Sequence, residues 1–169
     1  DEGKEEYYIS VNISPADFYF LDIYKEFVNI VKKYDIDPSR LKLEITETLI
    51  MKDLDSRLKI VESLRDYGFT VEMDDFGSGY SSLNMLKEIS VDVLKLDMGF
   101  LYKTKDEEKS RKIIGMIVQL SKALNMPVIC EGVETKPQFE FLKSIRCDYF
   151  QGYLFAKPVP IKEFEEQYM

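Results

Sequence analysis

TVEMDDF, residues 70–76, has one apolar face and one face that becomes acidic toward its end. Glu72 and Asp74 alternate with apolar residues, which is the two-residue period of a β-strand. Strands of an open doubly wound sheet are covered by helices on both faces and are apolar throughout. In a barrel, the outer strand face packs on helices, while the inner face can open into a site at the carboxyl ends. This stretch therefore favours a barrel.

The same two-sided pattern recurs in YYISVNIS (7–14), LKLEITE (41–47) and VDVLKLD (91–97). PVICEGV (127–133) and YFQGYLF (149–155) are the other predicted strands. Segments with helical spacing separate the strands, and these segments are 20–34, 54–68, 106–124 and a helix opened by a capping box at Thr135 to Gln138. Strands that alternate with helices predict a parallel α/β protein, here a TIM-like (β/α) barrel.

A closed barrel of this kind has eight strands, whereas six are predicted. We therefore expect one domain over residues 1–169 that holds about six of the eight strand–helix units. On this interpretation the chain is a fragment that lacks one or two units at its N-terminus.

Composition narrows the possible chemistry. The formal net charge is −8, which disfavours a nucleic-acid polymer as partner. The chain contains no His, so a metal site must use oxygen ligands, which suit Mg²⁺, Mn²⁺ or Ca²⁺.

No signal peptide and no membrane-spanning apolar run are present, which predicts a cytoplasmic segment without membrane contact. Cys130 and Cys147 are interpreted as reduced thiols, with a disulfide as the alternative.

Acids, amides and one lysine gather at the carboxyl ends of the predicted strands. They are Asn12, Glu44, Glu47, Asp74, Asp75, Lys95, Asp97, Glu131, Glu134 and Gln151. The carboxyl ends of barrel strands surround one cavity, and several carboxylates in one cavity repel each other unless cations bind among them. We therefore expect a site for two divalent cations. Gly77 and Gly79 would let the following loop pass close to a ligand.

Each of these residues also has a purely structural interpretation. Lys95 could simply form an ion pair with Asp97 or Glu131, Asn12 could cap a strand end, and the two glycines could form only a turn. The recurrence of polar residues at the same end of nearly every strand favours a functional site over these readings.

The motifs VNIS, LEITE, DDFGSGYSSL, LKLD, CEGVET and QGYLFAKP resemble, in this order and spacing, the EAL domain from about residue 8 to about residue 160. EAL domains are phosphodiesterases that hydrolyse the bacterial messenger cyclic di-GMP. The resemblance implies hydrolysis to linear pGpG by a water activated by two metals, with Mg²⁺ or Mn²⁺ as cofactor.

The resemblance also implies a role for each matching residue. Asn12, Glu44 and Asp74 resemble the ligands of one metal. Asp74, Asp75 and Glu131 resemble those of the second, and the last two join Lys95 in the implied catalytic set. Lys95 corresponds to the lysine that orients and polarises the attacking water.

Further matching residues would bind substrate or position loops, and they are Gln151, Glu47, Ser78, Gly79, Asp97 and Glu134. Gln151 resembles a residue that lines the site. Glu47 resembles the acid that steadies the loop after Asp75. Ser78 stands where Thr is common in the family and keeps the hydroxyl.

The chain departs from the family pattern in one respect, because it contains no Glu-Ala-Leu sequence. In the family this motif lies on the first strand, and its Glu is a metal ligand. We therefore expect weak or no activity from this chain alone, together with a homodimer or strand-exchanged oligomer. Other signalling domains are expected in the parent protein, and these could anchor it to a membrane.

Two alternatives remain open from the sequence. The chain could be a non-catalytic module that binds cyclic di-GMP or another protein. Lys95 could also be the Schiff-base lysine of a barrel aldolase, although surrounding carboxylates raise a lysine pKa, whereas that chemistry needs a lowered one.

Overall fold

The computed structural model describes residues 7–77, 83–97, 99 and 106–169. Within these residues, six parallel strands form one sheet in chain order. They are β1 (Ile9–Asn12), β2 (Leu41–Thr46), β3 (Thr70–Phe76), β4 (Val93–Asp97), β5 (Val128–Glu131) and β6 (Tyr149–Phe150). Consecutive parallel strands joined by helices have the topology of a (β/α) barrel, so the predicted fold class is confirmed. The described part is an open portion of such a barrel, with β1 and β6 as its edges.

Helices connect the strands. They are α1 (Pro15–Phe20), α2 (Ile23–Tyr34), α3 (Glu47–Met51), α4 (Leu54–Tyr67), α5 (Leu83–Glu88), α6 (Glu107–Ala123), α7 (Lys136–Ser144) and α8 (Ile161–Tyr168), with a 3₁₀ turn at Pro38–Arg40. No helix in the described ranges is both long and apolar enough to cross a membrane.

Local sequence signals fix several helix ends. Thr135 and Gln138 form the predicted capping box at the start of α7, with the hydroxyl of Thr135 accepting from the backbone of Gln138. The sequence did not predict α1, whose capping box joins Ser14 and Asp17. Helix α4 ends at Gly68, which has φ of 114° and accommodates the left-handed cap.

The core lies between the outer face of the sheet and the helices. Leu43, Met73 and Leu94 are fully buried on that face, as alternation predicts. The inner face carries Glu44, Asp74 and Lys95 instead, on the same three strands. Thus the strands have one apolar face and one polar face, and the polar one holds the candidate site.

The last predicted strand is shorter than expected. The sequence predicts a strand over 149–155, but β6 ends at Phe150. Gly152 has φ of 155°, and a Cβ placed there would lie 2.2 Å from the carbonyl oxygen of Val133. The chain therefore turns against the backbone of Val133, and only a glycine allows this approach. The first predicted strand is likewise shortened, from 7–14 to β1.

Candidate active site

Lys95 lies at the centre of a cluster on the inner face of the sheet. Its Nζ is 2.7 Å from Oε1 of Glu44, 3.1 Å from Oδ1 of Asp74 and 3.0 Å from Oε1 of Glu131. The lysine side chain is 4% exposed, and the three carboxylates are 11–19% exposed. Four different strands therefore meet at one buried ammonium, as expected for strand ends in a barrel.

A β-bulge in β3 separates the two adjacent aspartates. Met73 pairs with Leu94 and Phe76 pairs with Leu96, so β3 contains one extra residue between them. Asp75 has φ of 54°, in the left-handed region that Asp tolerates better than most residues. As a result Asp74 faces Lys95 while Phe76 packs in the outer core. Uninterrupted alternation would have put Asp74 and Phe76 on the same face.

The acids exceed the positive charge available to them. Partial burial, together with the negative charges of Asp74 and Asp97, raises the pKa of Asp75 above its usual range. Burial also raises the pKa of Glu131, and the nearby ammonium of Lys95 offsets only part of this effect. Burial is the largest cause of both shifts, and a further positive charge near these acids would lower both pKa values.

Lys95 itself is firmly protonated. Burial lowers the pKa of Lys95, but the hydrogen bond to Glu44 and the charges of Glu131 and Asp74 outweigh it, so the pKa rises above the ordinary 10.5. A Schiff-base lysine needs a neutral amine. The structure therefore disfavours the aldolase alternative.

Asn12 and Asp97 lie beside acids of this group, whereas Gln151 lines a cavity together with Lys42 and Ile129. Asn12 pairs with Glu44 in the parallel register of β1 and β2 and is exposed. Asp97 is close enough to Asp75 to act on its pKa, and its Oδ1 accepts from the backbone of Gly99 at 2.6 Å. Gln151 follows β6, donates from its backbone to Cys130 at 2.9 Å, and lines a cavity of about 250 Å³ on the inner face.

Two further predicted residues, Glu47 and Glu134, lie at the starts of helices. Glu47 is the first residue of α3 rather than a strand end, and it is 4% exposed. Glu134 is exposed, and its backbone N–H donates to Gln138 at the start of α7. Ser78 and Gly79 lie outside the described residues, so the predicted role of Glu47 toward their loop stays a prediction.

The donor chemistry of the cluster fits a hard divalent cation. Glu44, Asp74 and Glu131 offer carboxylate oxygens, and the buried Oδ1 of Asp74 has the ammonium of Lys95 as its ion-pair partner. The ammonium of Lys95 occupies the centre of these oxygens. Accordingly, no three acids of the described ranges form a cage for a metal as they stand. The fit therefore rests on the oxygen donors and the surplus of acid, and a bound cation would have to share these acids with Lys95.

Sequence reasoning assigned no role to a second ion pair on the inner face. Nζ of Lys42 lies 3.0 Å from Oε1 of Glu72, whose side chain is 1% exposed. Glu72 is also the register partner of Glu44 on the neighbouring strand. The alternation of β2 and β3 places both residues on the inner face, which was the signal available, but it did not reveal which acid pairs with which lysine.

A family model described as the EAL domain matches residues 2–158 of this chain. Among curated proteins, the chain is 37% identical over 163 residues to MucR of Pseudomonas aeruginosa, described as a bifunctional diguanylate cyclase/cyclic di-GMP phosphodiesterase. That match covers 96% of this chain but 24% of MucR. The chain thus spans about a quarter of the length of this relative.

Solved structures give the same assignment. The PaMucR phosphodiesterase in complex with cyclic di-GMP aligns with a TM-score of 0.88 at 36% identity, over 96% of this chain and 66% of that one. The manganese and cyclic di-GMP complex of Klebsiella pneumoniae BlrP1 aligns with a TM-score of 0.80 at 28% identity, over 89% of this chain and 39% of that one. The sequence motifs, the parallel half-barrel and these matches agree, and the chain belongs to the EAL domain family.

Proposed function

We propose that this chain supplies most of a site that hydrolyses cyclic di-GMP to linear pGpG with the help of divalent cations. The observation that carries the proposal is the convergence of Glu44, Asp74 and Glu131 on buried Lys95 at the carboxyl ends of four strands. The cyclic di-GMP complex of PaMucR, whose fold the chain shares, supports the choice of substrate.

The metal ligands would be Asn12, Glu44, Asp74, Asp75 and Glu131. Bound Mg²⁺ or Mn²⁺ would supply an activated water and neutralise charge on the phosphoryl oxygens. Manganese is the metal named in the BlrP1 complex, which supports this class of cofactor.

The residues of this chain position the reaction around that cofactor. Lys95 holds a permanent positive charge beside the acids and would orient the attacking water and the phosphoryl group through hydrogen bonds. Gln151 would line the substrate side of the site from the end of β6. The two cysteines lie in the outer core and there is no His, so no residue of this kind is placed to form a covalent intermediate.

The activity test uses this chain and a version extended upstream to include a Glu-Ala-Leu strand. We expect the extended protein to convert cyclic di-GMP to pGpG with Mn²⁺ or Mg²⁺, measured by chromatography, and the chain of 169 residues to be weak or inactive. Its sequence contains no Glu-Ala-Leu, so one expected metal ligand is absent. Robust turnover by the short chain would contradict this part of the proposal.

Asp74→Ala in the extended protein tests the role of the cluster. Because Asp74 is assigned to both metals, turnover should fall by at least about a hundredfold. Glu140→Gln, an exposed acid on α7, is the matched control and should retain activity. An active Asp74→Ala variant would remove the proposed metal role.

A non-catalytic binding module is the second candidate. The observation that favours it is the occupation of the acid cluster by Lys95, which leaves no ready metal cage among the described acids. Titration calorimetry measures the binding of cyclic di-GMP, and the chromatographic assay measures pGpG. A binding module would bind cyclic di-GMP without producing pGpG at any metal concentration.

We also propose that this segment forms a homodimer or strand-exchanged oligomer and works beside other signalling domains in the cytoplasm. The edge strands β1 and β6 have unpaired sides within the described residues, and Tyr8, Ile9 and Tyr149 beside them are 58–65% exposed. Analytical ultracentrifugation tests the oligomer, and a monomer at every concentration would contradict it.

A further inference from the structure

The two cysteines of the chain meet in the outer core, away from the acidic cluster. Sγ of Cys130 lies 3.0 Å from Sγ of Cys147, and both side chains are buried, at 0% and 8% exposure. Both are free thiols in the structure. They are also the only two cysteines in the sequence. Nothing in the proposed hydrolysis of cyclic di-GMP uses them.

The backbone around both residues fixes their separation. Cys130 lies in β5 opposite Phe150 of β6, and its carbonyl accepts from the backbone of Gln151 at 2.9 Å. The backbone of Cys147 donates to Leu142 at 3.1 Å, just after α7. A disulfide bond is about 2.05 Å long, so the sulfurs need to approach each other by about 1 Å. Rotation about the side-chain bonds of the two cysteines would have to supply this movement.

We propose that Cys130 and Cys147 form an intramolecular disulfide when the protein meets a small disulfide such as oxidised glutathione. One cysteine sulfur attacks the glutathione disulfide and releases one glutathione thiol. The second cysteine then displaces the other glutathione and closes the protein disulfide. The two cysteine thiols together lose two electrons and two protons, and glutathione disulfide gains them as two thiols.

We expect the oxidant to reach the buried pair when the edge of the sheet opens locally. Cys147 is followed by β6, which has only two residues, and Tyr149 in that strand is 58% exposed. Short edge strands open locally at a lower free energy than central strands. Cys147 is therefore the thiol that we expect to react first.

The crosslink would also tie the metal-site strand to its neighbour. It closes the loop from Cys130 to Cys147, which contains Glu131 and all of α7. Closing a loop of this length restricts the unfolded chain, and the melting temperature should rise by about 5–10 °C.

The experiment treats the folded protein of 169 residues with oxidised glutathione, with no metal or substrate present. Thiols are then counted with Ellman's reagent in denaturant, and the protease digest is analysed by mass spectrometry without reduction. We expect the loss of both thiols, a peptide that joins Cys130 to Cys147, a monomeric product, and a higher melting temperature that dithiothreitol reverses.

Cys130→Ala and Cys147→Ala are the matched controls. Each keeps one thiol, so neither should gain the thermal shift. Should either variant fail to fold, the wild-type peptide map decides the question without it. The proposal is overturned if the folded wild-type protein keeps both thiols while the same oxidant consumes them in the unfolded chain. Stable glutathione adducts or disulfide-linked dimers as the only products would overturn it equally. All these readouts are independent of phosphodiesterase activity.

Discussion

Two lysines on the inner face of the sheet differ in the number of acids with which they form ion pairs. Lys95 contacts Glu44, Asp74 and Glu131 within 2.7–3.1 Å, whereas Lys42 contacts Glu72 alone at 3.0 Å. Lys42 contacts an acid on β3, whereas Lys95 contacts acids on β2, β3 and β5, and both lysines face the inside of the barrel. The pair at Lys42 is electrically balanced, while the cluster at Lys95 has a surplus of negative charge.

This is the difference that we expect between a structural ion pair and a functional site. Glu44 and Glu72 are register partners on adjacent strands, so their like charges would repel if left unpaired. Each acid forms an ion pair with a different lysine: Glu44 with Lys95, and Glu72 with Lys42. In a balanced pair the two charges neutralise each other. A group with more acids than lysines is stabilised when further cations bind.

The largest expected effect is on the folding of the metal-free protein. Lys95→Met leaves three buried acids without their shared cation, so the free energy of unfolding should fall by about 3–5 kcal/mol. Lys42→Met leaves one acid, Glu72, without its ion-pair partner, so the free energy of unfolding should fall by clearly less. Urea unfolding in a chelating buffer measures both. Equal losses would show that the two lysines have the same role.

Added metal should stabilise the acidic cluster and not the balanced pair. At a Mn²⁺ concentration of about 100 times the dissociation constant, the folded protein gains about 2.7 kcal/mol. This gain should raise the melting temperature by about 5–10 °C. Glu44→Gln should weaken the shift, whereas Glu140→Gln on α7 should retain it. An unchanged shift in Glu44→Gln would place the metal elsewhere.

A double-mutant cycle sharpens the interpretation of the balanced pair. Lys42→Met and Glu72→Gln each remove one partner of a largely buried pair, and we expect each to cost about 1–3 kcal/mol. Together they should cost less than the sum, because neither charge remains unpaired. Thermal unfolding of all four proteins gives the coupling energy, and strict additivity would show that the two charges do not interact.

The smallest expected effect comes from an exposed pair on α6. Glu108 and Lys112 lie four residues apart, with 2.6 Å between Oε1 and Nζ, and both side chains are more than two-thirds exposed. Solvent screens such pairs, so Lys112→Ala should change the free energy of unfolding by about 0.5 kcal/mol or less. A loss as large as that of Lys42→Met would mean that burial does not set the strength of these pairs.

The sequence by itself determined the fold class and predicted that Glu44, Asp74 and Glu131 lie near Lys95. Strand alternation placed Glu44, Asp74 and Lys95 on one face, and parallel strands bring their carboxyl ends together whatever the helices between them contain. The motifs identified the EAL family before any contact was known. Local signals were equally reliable at the start of α7, because a capping box depends on only four consecutive residues.

Only the tertiary structure decided which of these residues contact each other. The bulge at Asp75 depends on the register between β3 and β4, and it turns Phe76 into the core instead of onto the inner face beside Asp74. The early end of β6 depends on the contact between Gly152 and Val133, nineteen residues away in the chain. The tertiary structure also decides which acids form ion pairs with Lys42 and Lys95, and it brings the two thiols together. Each depends on distances between separate strands, and the local pattern of a sequence does not contain those distances.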